Sequence, residues 1–303
     1  MFKKFLPLAI GLVTVGCNGN PDVVGGAGND GKAGNGGGGL IINMDGTGGT
    51  AGNAGGSNGL TTNGELMMVV RDFKFYSAGD SKTNPDFENT PKTDASGNPS
   101  TSYLGPWDDK EIVADKLGDD FRPVYKNASG KTLTTHGKAA FDQWYSTVSG
   151  TNLMQQIPLT LVPSGDGTYR YDSLTAGPPL SPNGGFFPID DGSQYQTTFG
   201  NQTREHNFSF TVEIHTKFTY KGGETFQFSG DDDVFVFIDK KLVINLGGIH
   251  GREPADVSID SLGLIKGDTY TLDFFSAERH VVQSNLLITT SLELETNTDI
   301  PIL

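Results

Sequence analysis

Residues 208–220 read Phe-Ser-Phe-Thr-Val-Glu-Ile-His-Thr-Lys-Phe-Thr-Tyr, and the fold is decided by how they are read. Phe208, Phe210, Val212, Ile214, Phe218 and Tyr220 share one parity, while Ser209, Thr211, Glu213, His215, Lys217 and Thr219 share the other. Successive side chains of a strand point to opposite faces, so this alternation predicts a half-buried antiparallel strand. Gly222-Gly223 then turns the chain into Thr225–Phe228. After Ser229–Asp233 comes the apolar run Val234–Ile238, and Asp239-Lys240-Lys241 reads as a hairpin turn returning through Leu242–Asn245.

Working outward, further strands are predicted over Thr269–Phe275 and Leu286–Leu294, with Leu66–Val70 as a buried strand opening the folded region. Two stretches read as helical. Asp108–Leu117 opens on acids after Pro106 and closes at Gly118, with Ile112, Val113 and Leu117 on one stripe. Lys138–Val148 spaces Ala140, Phe141, Trp144, Tyr145 and Val148 at helical intervals. Short strands with Gly and Asp turns predict a mainly β domain: an antiparallel β-sandwich with a few short helices.

Upstream the composition changes. From Asn18 to about Gly64, Gly, Asn, Ala and Thr dominate, and Leu40-Ile41-Ile42 is the main apolar cluster. Such a segment buries too little apolar area to offset the entropy of ordering, so a disordered Gly-rich linker is expected. About 47 residues of that kind span on the order of 40 Å, enough for a tether. Collagen-like order is not expected, because no strict three-residue Gly period runs through it.

Before the linker, Lys3 and Lys4 precede an apolar run of about eleven residues, Phe5 to Val15, then Gly16 and Cys17. That run is too short for a transmembrane helix, which needs about 20 residues, and it has the length of a signal-peptide core. Cys17 is the only cysteine in the chain, so no intramolecular disulfide can form. The stretch resembles a bacterial lipoprotein signal, with Thr14 where leucine is usual. The resemblance implies cleavage before Cys17, acylation of Cys17, and a membrane anchor of several acyl chains. Asn18 follows in place of a retention aspartate, so the expected location is the outer membrane of a bacterial envelope, with the domain surface-exposed. The expected organisation is residues 1–17 as signal and anchor, 18–64 as linker and 65–303 as the folded domain.

The net charge is −14. A surface this acidic repels phosphate backbones and argues against nucleic acid as a partner.

The most specific strings lie in the predicted sandwich. Phe228-Ser-Gly-Asp-Asp-Asp-Val-Phe-Val-Phe-Ile-Asp239 is followed by Leu242-Val-Ile-Asn-Leu-Gly-Gly-Ile-His250. Tyr270-Thr-Leu-Asp-Phe-Phe-Ser-Ala-Glu-Arg-His280 is followed by Ser284-Asn285. With Arg71-Asp72-Phe73, Pro85-Asp86-Phe87-Glu88 and Phe186-Phe187-Pro188-Ile189-Asp190, these strings resemble the fibro-slime domain over about residues 66–295. More remotely, that domain is similar to the protective-antigen-like β-sandwich modules of toxins, glycosidases and yeast adhesins. In the adhesin branch, two consecutive aspartates and a second loop hold a calcium ion that binds a sugar. The resemblance places that pair at Asp231-Asp232 and the second loop around Ala277–Asn285.

Three adjacent carboxylates repel one another unless a cation or amide donors compensate. Calcium accepts six to eight oxygens, so Asp231, Asp232 and Asp233 with Asn285 or Glu278 form one candidate site. The competing reading is that these aspartates accept backbone N–H bonds in a tight turn. Glu278 and His280 point the same way along a strand end and Arg279 the other, giving either a ligand-binding pair or a salt bridge from Arg279 to an aspartate. His250 could join His280 in a transition-metal site, but no HExxH or close paired-His spacing supports one. Within the predicted folded domain, residues 65–303, there is no Gly-x-Ser-x-Gly elbow or phosphate-cradling loop either, so the domain is not expected to be an enzyme. The expected function is a tethered surface module that binds carbohydrate or matrix polymer, with calcium as its cofactor, in adhesion or matrix organisation. A purely structural, self-associating surface protein is the first alternative, and an enzyme acting on extracellular polysaccharide the second.

Overall fold

The computed structural model describes residues 64–87, 107–182, 184–190, 198–200, 205–281 and 283–296. The anchor at Cys17 and the linker up to residue 63 lie outside the described residues, as does Glu88.

The strands run β1 Glu65–Phe73, β2 Trp107–Asp108, β3 Val113–Leu117, β4 Pro123–Tyr125, β5 Asn152–Thr160, β6 Val162–Pro163, β7 Tyr169–Asp172 and β8 Phe210–Thr219. They continue as β9 Thr225–Gly230, β10 Asp233–Ile238, β11 Lys241–Leu246, β12 Gly248–Ile249, β13 Glu253–Ser258, β14 Thr269–Glu278, β15 Leu286–Thr290 and β16 Glu295–Thr296. The larger sheet has the order β4-β3-β11-β10-β14-β8-β1-β5, with β16 also pairing β8. A second sheet has the order β13-β9-β15-β7-β6, and β12 pairs β2. The pairings are antiparallel. The two sheets close on one core, so the domain is the mainly β sandwich that the alternating strands predict.

Alternation explains the core. Val234, Val236 and Ile238 of β10, Leu272 and Phe274 of β14, and Phe210, Val212, Ile214 and Phe218 of β8 face inward. From the opposite sheet Phe226 and Phe228 of β9, Leu286 and Ile288 of β15, and Tyr171 of β7 meet them. Each fully buried aliphatic or aromatic side chain of this kind contributes about 1.5–3 kcal/mol.

The unbroken apolar run of β10 has its own reason: the outer face of the large sheet is covered too. Phe235, Phe237, Phe275 and Ala277 pack there beneath Phe87, Ile112, Phe141, Trp144 and Tyr145. β8 is therefore buried on both faces over its first half, Thr211 at 0% and Glu213 at 3% exposure, and not half-buried as its pattern predicts. A polar parity signals water only when no further layer covers that face.

Both predicted helices need correction. Asp108–Leu117 is extended: Asp108 pairs Gly248, and Val113–Leu117 pairs β4 and meets β11. Val113, Asp115 and Leu117 share a strand face as readily as a helix stripe, and ten residues make a marginal helix when sheet edges offer partners. In Lys138–Val148 only Lys138–Phe141 is α-helical. Beyond it the bonds tighten to i→i+3, Trp144 N–H to the Phe141 carbonyl at 2.9 Å. The hydroxyl of Thr211 takes the Trp144 carbonyl at 2.7 Å, and the Asn152 amide takes the Ser146 carbonyl at 2.9 Å. Side chains from β8 and β5 thus claim the carbonyls that further helical turns would use.

The predicted strand Leu286–Leu294 also stops early, at Thr290. The Thr225 N–H donates to Ser291 Oγ at 3.0 Å, after which the chain leaves the smaller sheet and Glu295–Thr296 joins the larger one at β8. The hairpin between β10 and β11 forms as read. Asp239 and Lys240 both have positive φ, 50° and 63°, as a primed two-residue turn requires. Lys240 Nζ lies 4.0 Å from the Phe121 ring centroid, a cation–π contact that helps hold a lysine where Gly or Asn is usual.

Candidate functional site

Asp231 and Asp232 connect β9 to β10 at one end of the sandwich, and their peptide bond is cis. Asp233 pairs Ala277 and Leu286 pairs Gly230, so the end of β14 and the start of β15 flank this connection. Gly230 is required here by close approach: a Cβ would sit 2.5 Å from the Phe228 ring and 2.7 Å from the Asn285 carbonyl oxygen.

The three aspartates are all buried but differ in partners. Asp231 accepts from the backbone N–H of Asn285 at 2.5 Å and from its Nδ2 at 2.7 Å. Asp232 accepts from the backbone N–H of Arg279 at 3.1 Å. Asp233 accepts from Arg279 Nε at 2.6 Å and from the Gly248 N–H at 2.7 Å. Both Asp231 and Asp233 have two engaged oxygens, but Asp231 takes neutral amide donors. Asp233 is locked in a buried ion pair with Arg279, which corrects its assignment as a metal ligand. Strand alternation is the physical reason, since Asp233 shares the outer face with Phe235 and Phe237, beneath the aromatic layer.

Arg279 completes that structural pair. It is 2% exposed, donates from Nη1 to the Thr134 carbonyl at 2.8 Å, and stacks 4.5 Å from the Trp144 ring centroid. Burial works against its charge, but Asp233 outweighs burial and raises its pKa. The Trp144 Nε1–H in turn donates to Asp86 Oδ2 at 3.0 Å, so the Arg279 network reaches the covering layer.

Glu278 faces the other way along β14, on the parity of Leu272 and Phe274. It is 2% exposed, and its Oε2 has no hydrogen-bond partner among the described residues, while the Ser284 hydroxyl acts on the carboxyl. Burial pushes its pKa well up, reinforced by repulsion from Asp232 and Asp231. Burial also pushes Asp232 well up: Arg279 opposes this, while Asp233 and Asp231 add to it. Asp231 is raised by burial against the two bonds from Asn285. Asp231, Asp232 and Glu278 therefore form a buried carboxylate group in which the Arg279 side chain is engaged by Asp233 and the charge of Arg252 acts on Asp231.

Of the two candidate histidines, His250 is engaged with the backbone. Both nitrogens of His250 face backbone carbonyls, Nε2 to Leu246 at 3.2 Å and Nδ1 to Gly251 at 2.9 Å. The His280 N–H approaches Glu278 Oε1 at 3.4 Å.

Two features went unread in the sequence. Arg71 donates to Glu213 at 2.5 Å, Glu213 meets His215 Nε2 at 2.7 Å, and His215 Nδ1 meets Asp273 at 2.7 Å, across β1, β8 and β14. The second is a cleft of about 690 Å³ beside Asn285, with Phe187, His206 and Phe208 in its wall. Glu213 and His215 on one parity carried a signal for the first, but the cleft is built by loops far apart in the chain and left none.

Residues 168–302 match the PA14 domain. PA14 is a β-rich fold of carbohydrate-binding type. Its match begins just before β7, so β1 and β5, which complete the large sheet, stand upstream of it. Among curated proteins the chain is similar to psiQ of Dictyostelium discoideum, 39% identical over 195 residues, covering 61% of this chain and 19% of psiQ. It is similar to psiD of the same organism, 42% identical over 190 residues, covering 60% of this chain and 36% of psiD. To psiH it is 50% identical over 207 residues, covering 61% of this chain and 27% of psiH. The chain thus spans little more than a third, at most, of these relatives. Among solved structures, the PA14 domain of the antifreeze protein MpAFP matches with TM-score 0.24 and 12% identity, covering 37% of this chain and 60% of that one.

Proposed function

We propose that this PA14-containing domain is a non-catalytic surface module of fibro-slime type that binds carbohydrate through a calcium ion, in adhesion or matrix organisation. The reading is supported by one observation above the rest: the buried excess of carboxylate at Asp231, Asp232 and Glu278, with Glu278 Oε2 lacking a hydrogen-bond partner among the described residues. Burying unpaired charge is costly, and a cation or protons must compensate it.

The donor set suits a hard cation, since it consists of carboxylate and amide oxygens. Among the described residues no three His, Cys, Asp or Glu side chains are grouped to hold a metal by themselves. Calcium meets that limit because it also accepts amide and backbone carbonyl oxygens. Asp231 and Asp232 would hold it, with the Asn285 amide oxygen and backbone carbonyls completing the protein's share. Bound calcium supplies a centre for vicinal sugar hydroxyls, and the chain's own residues fix its position at the sandwich end. Cys17, where acylation would anchor the chain, and the Gly-rich stretch after it fit a tethered display of this module.

Titration calorimetry with calcium chloride tests the metal. The parent protein should bind calcium, and Asp232→Ala should lose at least tenfold in affinity; a parent that takes up no calcium removes the metal-centred reading.

A further inference from the structure

The cleft beside Asn285 is a second element of recognition. Phe187 and His206 stack with ring centroids 3.9 Å apart and planes 7° from parallel. Phe208 stands edge-on to both, 5.2 Å from Phe187 at 82° and 6.0 Å from His206 at 79°. Phe187 is buried at 4% exposure, so the corner presents the partly exposed rings of His206 and Phe208, backed by Phe187 and held in place. Asp190 Oδ2 takes His206 Nδ1 at 2.5 Å, while Asp190 Oδ1 takes the Asn207 N–H at 2.7 Å. Gly185 lets its loop pass the platform, since a Cβ there would lie 2.5 Å from the Phe187 ring.

The rest of the lining combines polar Glu205, Gln283, Ser284 and Asn285 with apolar Leu174 and Val281. Ser284 is itself pinned, its Oγ donating to the Phe186 carbonyl at 2.7 Å. Asn285 belongs both to this wall and to the carboxylate group, through its two bonds to Asp231. Asn285 therefore links the cleft wall to the buried carboxylates.

We propose that this cleft is a subsite for a pyranose ring adjoining the calcium-held residue, so that the domain binds an oligosaccharide and not a single sugar. The proposal rests on the carbohydrate reading above. An aromatic face carries negative π density, and one face of a pyranose is a patch of weakly positive C–H groups. The polar wall meets the hydroxyls at the ring's rim. About 690 Å³ is ample for one ring, and few convergent polar groups in a preformed hollow are what a small-ligand site requires. The Asp190 anchor fixes the His206 ring in advance, so ligand binding does not have to order it.

Full-length protein in calcium buffer is tested against immobilised mannose-, glucose-, galactose- and N-acetylglucosamine-terminated oligosaccharides and the matching methyl monosaccharides. The parent should bind at least one oligosaccharide more tightly than its monosaccharide. Phe208→Ala and His206→Ala should each remove about two- to tenfold of that gain, and His206→Phe, which keeps a ring, should restore it. Calcium affinity by calorimetry should stay at the parent value in all three, showing that the site end is folded. Equal oligosaccharide and monosaccharide binding by the parent, or undiminished gain in both alanine variants, overturns the subsite and leaves the calcium–sugar reading standing. Calcium binding without any glycan binding overturns both, as does capture of unglycosylated extended peptides by the cleft in place of sugars.

Discussion

Two groups of buried charge occupy the same large sheet, and they are balanced differently. Arg71, Glu213, His215 and Asp273 lie mid-sheet on the outer face, two cationic groups against two carboxylates. Burial alone would lower the His215 pKa, but its bonds to Asp273 and Glu213 outweigh burial and raise it to about 9. Glu213 is likewise pushed up by burial, and the hydrogen bond from His215 with the charge of Arg71 brings it below its ordinary value. At the end of the sheet the carboxylates of Asp231, Asp232 and Glu278 are less well matched, because the Arg279 side chain pairs with Asp233. It acts on Asp232 only through its charge, as Arg252 does on Asp231. The mid-sheet group balances its charges within the fold, although Arg71 Nε and Nη2 and Asp273 Oδ2 find no hydrogen-bond partner among the described residues. The excess carboxylate, placed at a connection between strands, is compensated either by protons, which the raised pKa values favour, or by a cation from outside.

The comparison breaks most forcefully at Arg279. Arg279→Met leaves Asp233 buried and uncompensated, and it is expected to cost about 3–5 kcal/mol in urea unfolding. Arg71→Met should cost less, because His215 still stands beside Glu213. Equal losses would show that the two groups are not balanced differently.

Next is the pH dependence of the mid-sheet group. A folded pKa raised from 6.5 to about 9 means that the stability from His215 is fully present below about pH 6.5 and is lost as pH rises through about 9. The change is on the order of 3 kcal/mol. Denaturation midpoints measured across that range should fall for the parent protein, and His215→Gln should flatten this component; an unchanged slope in the variant would assign it elsewhere.

The smallest effect is expected at the site end. Gly230→Ala places a methyl group against the Phe228 ring and the Asn285 carbonyl. Overpacking of this kind costs about 1–3 kcal/mol. Since Asn285 holds Asp231, the variant should also weaken calcium binding in calorimetry, whereas the His215 variant should not.

The residues of the site were legible to different degrees. Asp231 and Asp232 stood out as adjacent acids at a strand start, and Arg279 was readable as an aspartate's partner. Asp233 looked equivalent to its neighbours because identity in sequence hides the alternation of faces. The aromatic wall of the cleft was not legible, since Phe187, His206 and Asn285 come together only through the packing of separate loops. The helix expectations failed for a related reason: Val113 and Leu117 fit either period, and the sheet edge beside them decided between the two.

What the sequence determined by itself is the strand period, the Asp239-Lys240 turn, the acidic connection before β10 and the tail-to-domain change in composition. These are local properties, set by side-chain alternation, turn chemistry and apolar content. What only the tertiary structure decided is which faces are covered and which charges are matched. The layer of Trp144, Tyr145 and Phe87 turns a half-exposed strand into a central one, and the crossing of β10 with β14 pairs the Arg279 side chain with Asp233 and not with Asp231, Asp232 or Glu278. Burial and charge balance depend on neighbours brought from elsewhere in the chain, and no local pattern carries them.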